Sequence, residues 1–177
     1  MSGKTRIVVK FGVPLVLAGA GFMGLLNKWE PDHKNPGRVY IDQLARTKVL
    51  TVCKGITPAA SPYPLVLGDY WSPEKCAEVE RMAAEKSQLR LLDCVRVPIN
   101  QNTFDAFSSH AHNFGVKATC ASRALELVNR GQLAAGCDAL AHAEDGKTPV
   151  WSYADGQYRR GLYYRRLDER ALCRKKP

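Results

Sequence analysis

The sequence predicts an α+β protein with a small β-hairpin lobe, a larger helical lobe and a long helix that joins them. Two strand-like runs at residues 39–41 and 48–53 flank a polar turn at 45–47, which is typical of a hairpin. Ser72-Pro73 is a typical helix start, because serine caps helices well and proline suits the first turn. Apolar residues then recur at helical spacing from 74 to 97, and Pro98 ends that helix.

The remainder of the chain predicts four more helices. They are expected at 103–114, capped by Thr103 and stopped by Gly115, and at 119–129, 132–143 and 162–173. We therefore expect an anchor at residues 1–28 and one folded domain at 29–177. That domain divides into a β-lobe at 29–72, a joining helix at 73–97 and a helical lobe at 98–177.

The N-terminal segment predicts an apolar anchor helix. An apolar run at 11–26 lies between Lys10 and Lys28, and the segment has no acidic residue. Positive charge before the run places the body of the protein outside the cytoplasm. Glycine, alanine and Pro14 make the run weakly hydrophobic, so a segment that inserts and later leaves the membrane fits best. A cleaved signal peptide with Ala18-Gly19-Ala20 as its cleavage site, a permanent anchor and a buried helix of a soluble domain are the alternatives.

Charge and cysteine content restrict the function classes. The chain has 177 residues and a formal charge of +9, which suits a polyanion such as nucleic acid, anionic lipid or an acidic cell-wall polymer. No nucleic-acid motif is present. Six cysteines without C-x-x-C spacing predict up to three disulfides in an oxidising compartment, with 15 pairings open, and no metal or cofactor site. Six buried thiols in a cytosolic protein are the alternative. The cysteines are Cys53, Cys76, Cys94, Cys120, Cys137 and Cys173.

Two carboxylates and a hydroxyl around the predicted hairpin form the candidate catalytic site. Glu30 directly follows the anchor, Asp42 lies on the first strand and Thr51 on the second. A glycosidase needs one protonated carboxyl to protonate the leaving oxygen, and one ionised carboxylate to orient water or stabilise a cationic sugar. We expect Glu30 to be the acid, shielded by Trp29 so that its pKa rises, and Asp42 with Thr51 to hold the water or the sugar.

Several motifs in order resemble the phage-type lysozymes, glycoside hydrolase family 24, and in particular the signal-anchor-release endolysins. The resemblance implies a lysozyme-like fold and an N-acetylmuramidase that cuts peptidoglycan strands with inversion, using a Glu, an Asp and a Thr in that order. The motifs are the Gly/Ala-rich anchor, Trp29-Glu30, Tyr40-Ile41-Asp42, the run TVCKGIT at 51–57, SPEKC at 72–76, DAFSSHAHNFG at 105–115, Asn129-Arg130-Gly131, Gly136-Cys137-Asp138, Trp151-Ser152-Tyr153, RGLYYRR at 160–166, Glu169 and Leu172-Cys173.

The spacing of the three candidate residues departs from the family pattern. Eleven residues separate Glu30 from Asp42 and eight separate Asp42 from Thr51, where the family has eight and five. A gapless alignment back from Thr51 puts Ala45 and Pro36 at the acid positions, which predicts a non-catalytic protein that binds glycan or a partner. We favour the gapped alignment because Tyr40-Ile41-Asp42 keeps the family's Tyr-x-Asp and because loops accept insertions at low cost.

The remaining expectations concern regulation and partners. Glu30 lies so close to the anchor that membrane insertion is expected to hold it away from Asp42 and Thr51 until release, which the resemblance links to loss of membrane potential. We expect an initially inner-membrane-tethered monomer that is released to the periplasm and acts on peptidoglycan for host lysis.

His110, His112, Trp71 and Trp151 are expected to be packing residues. The C-terminal basic residues are either attracted to the anionic wall or form a solvated face; they are Arg159, Arg160, Arg165, Arg166, Arg174, Lys175 and Lys176.

Overall fold

The computed structural model describes residues 6–30, 37–42 and 48–176. Lys4, Pro36, Ala45 and the predicted turn at 45–47 lie outside the described residues. The elements in order are β1 (Ile7–Lys10), β2 (Val13–Val16), α1 (Ala20–Trp29), β3 (Tyr40–Asp42), β4 (Val49–Thr51), α2 (Pro73–Leu92), α3 (Gln101–Phe114), α4 (Val116–Cys120), α5 (Arg123–Asn129), α6 (Leu133–Asp138), β5 (Tyr153–Ala154), β6 (Gln157–Tyr158) and α7 (Arg160–Cys173).

The described residues divide into two compact units. One unit extends from Glu30 to Lys86, and the other contains residues 6–29 and 87–176, so the division falls within α2. The helix–hairpin organisation predicted from the sequence is present, since short antiparallel hairpins and helices make up both units.

The first unit is built on the β3–β4 hairpin. Its core contains the fully buried Val52 and Val79 together with Trp71, which is 3% exposed. The predicted start of α2 is confirmed, because α2 begins at Pro73 and the Ser72 hydroxyl accepts a hydrogen bond from the Lys75 N–H at 3.2 Å. The helix ends at Leu92, earlier than Pro98, and a turn closed by hydrogen bonds from Cys94 and Val95 follows it.

The second unit has α3 at its centre. Phe104 and Phe107 of this helix are completely buried, and α3 packs against α1, α4 and α7. The cap predicted for α3 is wrong: Asn100 precedes the helix, and its side chain accepts from the Thr103 N–H at 2.9 Å. The helix predicted at 119–129 is two helices, α4 and α5, because the Ser122 hydroxyl caps a new helix by accepting from the Leu125 N–H.

The N-terminal anchor helix is the principal error of the sequence prediction. Residues 7–16 form a β-hairpin whose turn, Phe11-Gly12, has φ values of 51° and 78°, and a ten-residue helix, α1, follows. Pro14 is accepted here because a two-stranded sheet has open edges. The hairpin's inner face packs into the second unit through Leu15, which is completely buried. Among the described ranges of the chain, no helix has both the length and the apolarity needed to span a membrane.

All six cysteines form disulfides. The pairs are Cys53–Cys76 in the first unit, and Cys94–Cys120 and Cys137–Cys173 in the second. They close loops of 23, 26 and 36 residues. In the chain-entropy treatment, each pair destabilises the unfolded chain by about 3–4 kcal/mol. The sequence alone left the pairing open.

Candidate functional site

The β3–β4 hairpin places Asp42 and Thr51 on the same face. Tyr40 pairs with Thr51, and Asp42 pairs with Val49. Directly paired residues of an antiparallel hairpin share a face, as do residues two apart on one strand. Asp42 and Thr51 are therefore diagonal neighbours, for which the typical Cα separation is about 7–8 Å.

The environment of the two side chains differs. Thr51 is only 3% exposed, and its hydroxyl donates to the Val49 carbonyl at 3.4 Å. Asp42 is half-buried at the end of β3. The pKa of Tyr40, on the same face, is raised by partial burial and secondarily by the charge of Asp42. The face therefore combines a half-buried carboxylate with a buried hydroxyl.

The chain after β4 gives this face a rigid base. Cys53 has a φ of 54° and forms the disulfide to Cys76 of α2. Val52 and Ile56 exchange backbone hydrogen bonds at 3.0 and 2.9 Å, closing a tight turn. The Lys54 N–H then donates to a carboxylate oxygen of Glu80 at 3.0 Å. Thr51 is thus followed, within three residues, by a disulfide and by hydrogen-bonded contacts that hold the chain in place.

Glu30 lies immediately after α1, at the start of the first unit. The indole N–H of Trp29 donates to Asp168 at 2.8 Å, and Lys28 forms an ion pair with the same carboxylate at 2.6 Å. These contacts fix the end of α1 within the second unit. Glu30 itself is half-buried. Glu30, Asp42 and Thr51 all belong to one compact unit, and the structure brings Asp42 and Thr51 together on one face.

A buried aspartate holds the other end of α1. Asp105 of α3 is 1% exposed and accepts from the Gly21 N–H at 3.1 Å and from Gln101 at 2.8 Å. A carboxylate at a helix N-terminus satisfies open N–H groups and complements the helix dipole. Burial raises the pKa of Asp105, and these hydrogen bonds oppose the rise. No local pattern predicts this role, because Asp105 lies 84 residues from Gly21.

An ionic cluster, here called the buried ionic cluster, lies between α3 and α7 in the second unit. Ser109 donates to the Glu169 carboxylate at 2.7 Å, and Arg166 donates to the same oxygen at 2.8 Å. Arg165 lies 3.5 Å from that oxygen. Burial raises the pKa of Glu169 to about 7 and lowers that of Arg166 to about 10. Sequence reasoning assigned both arginines to a basic surface region, but they are 3% and 0% exposed.

The histidines and tryptophans expected to be packing residues are placed in aromatic contacts. His110 is completely buried and makes ring contacts with Phe114 and Trp151 at 5.2 and 4.7 Å. Its Nδ1 lies 2.8 Å from the Thr119 hydroxyl. His112 meets Phe22 edge-on at 6.2 Å. No group of three metal-ligating side chains occurs within the part of the chain that the structure describes.

Comparisons of the sequence identify relatives of this chain. A sequence model of the phage lysozyme family matches residues 37–169. The chain is 31% identical to the SAR-endolysin of Pseudomonas phage phiKMV over 93 residues, which cover 52% of this chain and 54% of the relative. It is 40% identical to the endolysin of Bacillus phage PZA over 78 residues, or 27% of that relative. The alignments to these two relatives therefore span about half and about a quarter of their lengths.

A longer alignment joins the chain to the SAR-endolysin of Enterobacteria phage PA-2, with 26% identity over 137 residues that cover 77% of this chain and 76% of the relative. Among solved structures, a mutant of P22 lysozyme is similar with a TM-score of 0.70 and 25% identity, covering 89% of this chain and 97% of that structure. The muramidase domain of SpmX from Asticaccaulis excentricus shares the fold with a TM-score of 0.69. Because the family match covers most of its length, this chain belongs to the phage lysozyme family.

Proposed function

We propose that this chain is an endolysin that hydrolyses the glycan strands of bacterial peptidoglycan. The observation that carries the proposal is the β3–β4 hairpin, which places an aspartate and a threonine on one face in a member of the phage lysozyme family. The named relatives are endolysins, which supports the catalytic interpretation over the non-catalytic one. The proposal includes the gapped alignment, in which Glu30 and Asp42 are the two acids. The gapless alternative puts Pro36 and Ala45 at those positions, and both residues lie outside the described ranges.

In the proposed mechanism, Glu30 donates a proton to the leaving glycosidic oxygen. Asp42 stays ionised and, with the Thr51 hydroxyl, orients a water molecule for attack on the anomeric carbon from the opposite face. The proton released by that water moves to Asp42, and the product carries the inverted configuration. Lys28 and Trp29 assist by fixing the end of α1 before Glu30.

Turbidity loss of purified sacculi tests the assignment in the full chain. Glu30→Gln and Asp42→Asn remove the two proton-transfer groups without changing side-chain size, so each is expected to lower the rate at least about 100-fold. Glu144→Gln is the matched control, because Glu144 is an exposed carboxylate whose side chain is 84% accessible. Retained activity in Glu30→Gln would place the acid elsewhere. An inactive but folded wild-type chain would favour the non-catalytic interpretation. The anomeric configuration of the first product, observed by NMR, tests inversion.

We further propose that the anchor, residues 1–28, first lies in the inner membrane, that its described part folds into the second unit on release to the periplasm, and that the chain acts there as a monomer. The relatives named SAR-endolysins support this route. The structure supports it by giving the segment a packed position: Val16 exchanges hydrogen bonds with Gln101 at 2.8 and 3.0 Å, and Ala18 donates to Gln88 at 2.7 Å. The released state then has its own stabilising contacts.

Gly24→Leu isolates the membrane step. A side chain at Gly19 or Gly21 would meet Asp105 at 2.8 Å, so leucine there would also disturb the folded state. At Gly24, a Cβ meets nothing within 4 Å among the described residues. Leucine at 24 makes the segment more apolar and should increase the membrane-bound fraction and delay lysis. Unchanged fractionation and lysis timing would contradict the release model, whereas the hydrolysis proposal would be unaffected.

A further inference from the structure

Three exposed tyrosines, the half-buried Tyr163 and an arginine form a continuous ladder at the start of α7, here called the tyrosine platform. Tyr153, Tyr158 and Tyr164 are 49%, 46% and 41% exposed. Consecutive ring centroids are 5.8 Å apart for Tyr153–Tyr158, 6.2 Å for Tyr158–Tyr163 and 6.3 Å for Tyr163–Tyr164. The fifth member, Arg160, donates from Nε to the Tyr164 hydroxyl at 2.8 Å. All five residues belong to the second unit.

The local fold presents these rings in a fixed arrangement. The β5–β6 hairpin turns at Asp155-Gly156, with φ values of 51° and 73°, as a two-residue turn with two positive φ values requires. Tyr153 and Tyr158 are directly paired across it and so share one face. The Tyr163 hydroxyl lies 3.0 Å from Nε2 of the half-buried His142, and this contact fixes the position of the Tyr163 ring. A ligand therefore meets rings that are already ordered, so binding them costs little conformational entropy.

Packing alone does not explain the exposure. Core aromatic residues of this chain, such as Phe104 and Phe107, are completely buried. The platform rings instead contact one another, and Tyr153, Tyr158 and Tyr164 keep 49%, 46% and 41% of their surface in water. Exposed aromatic surface gathered in one patch is a marker of binding. Tyrosine gives a flat apolar face with a polar edge, which matches a pyranose ring whose faces carry C–H groups and whose rim carries hydroxyls.

We propose that the tyrosine platform binds peptidoglycan strands, with sugar rings stacked on the tyrosines and stem-peptide carboxylates near Arg159 and Arg160. This rests on the proposed function. Charge complementarity selects this occupant: residues 152–164 contain two exposed arginines and one acidic residue, Asp155.

Cosedimentation of the full chain with purified sacculi on ice measures this contact without requiring hydrolysis. The double variant Tyr153→Ser/Tyr158→Ser should raise the half-saturating sacculus concentration about tenfold, and Tyr153→Phe/Tyr158→Phe should stay within about twofold, because phenylalanine retains the stacking face. Tyr70→Ser is the matched control, since Tyr70 is 65% exposed and belongs to the first unit. In turbidity assays the serine variant should raise KM with kcat unchanged.

The proposal is overturned if the serine double variant binds sacculi as tightly as wild type. It is also overturned if the phenylalanine double variant loses as much affinity as the serine double variant. If the serine variant shows no thermal transition, Tyr164→Ser on α7 replaces it, with at least about a threefold loss expected and wild-type binding again overturning the proposal. Binding to anionic phosphatidylglycerol vesicles, lost in the variant while sacculus binding is kept, would assign the platform to lipid instead. A wild-type chain that binds sacculi without clearing them would remove the proposed function and leave the platform standing.

Discussion

The buried ionic cluster and the β3–β4 hairpin face are both polar, yet their carboxylates differ in burial. The cluster contains Arg166 and Glu169 at 0% exposure, with both pKa values strongly shifted by burial. The hairpin face carries a half-buried aspartate beside a threonine whose hydroxyl donates to the Val49 carbonyl. The comparison teaches that the strongly shifted pKa values of the cluster belong to groups that hold helices together, whereas the carboxylate of the hairpin face is still reached by solvent.

The largest effect is expected from breaking the cluster. Arg166→Met leaves the Glu169 carboxylate without its 2.8 Å partner in a desolvated position, and should lower the free energy of unfolding by about 3–5 kcal/mol. Urea denaturation at pH 7 measures it. Arg170→Met on the same helix is the matched control, because its pair with Asp138 is about one-third exposed and should contribute less than about 1 kcal/mol. Equal losses of unfolding free energy in the two variants would show that the buried ionic cluster stabilises the fold no more than the exposed pair does.

A substitution on the hairpin face should instead lower activity and leave stability nearly unchanged. Thr51→Val keeps the β-branched shape and the burial but removes the hydroxyl, so activity on sacculi should fall about 10- to 100-fold. Stability should change by less than about 1 kcal/mol. Thr51→Ser, which keeps the hydroxyl, should retain more activity than the valine variant. Turbidity loss and urea denaturation are measured on the same samples. A valine variant as active as wild type would remove Thr51 from the mechanism.

The smallest effect is a pH dependence of stability that originates from His110, next to the buried ionic cluster. The pKa of His110 is lowered to about 3 by burial and then by the charges of Arg166 and Arg165, and Thr119 lies against its ring. Because the unfolded chain binds that proton near the ordinary pKa of 6.5, acid lowers stability as the pH falls from about 6.5 to 3.

Glu169 acts in the opposite sense. Its pKa is raised, so the folded chain binds the extra proton, and the contribution of this group to stability falls as the pH rises from about 4.5 to 7. The two effects oppose each other between pH 4.5 and 6.5, and only the effect of His110 remains below pH 4.5. The stability difference between wild type and His110→Gln should therefore change by about 2 kcal/mol between pH 4.5 and 3. Parallel pH curves would contradict the assignment.

Local chemistry made several elements predictable. Ser72-Pro73 starts α2 because capping depends on neighbours within three residues. The β3–β4 hairpin follows from two short strand-like runs on either side of a polar turn, and its register then puts Asp42 and Thr51 on one face. The N-cap of α3 was harder to predict, because asparagine and threonine both suit that position. In the structure Asn100 is the cap, because its side-chain oxygen accepts from the Thr103 N–H.

The N-terminal segment shows where sequence patterns fail. An apolar run with glycines and Pro14 fits a weak membrane helix and equally a hairpin that packs on a protein core. The folded chain supplies the deciding contacts, from Gln101 to Val16 and from Asp105 to Gly21, more than 80 residues away. The same limitation placed Arg165 and Arg166 in a surface patch, because their burial depends on α3 being packed against α7.

The sequence by itself determined the α+β class, the start of α2, the β3–β4 hairpin and the candidate trio of Glu30, Asp42 and Thr51, because each rests on residue types within a short stretch. Only the tertiary structure decided the three disulfide pairs, the β1–β2 hairpin, the buried ionic cluster and the tyrosine platform. These features depend on groups brought together across 23 to 85 residues, or on which side of a helix solvent reaches. Local propensities contain no information about either.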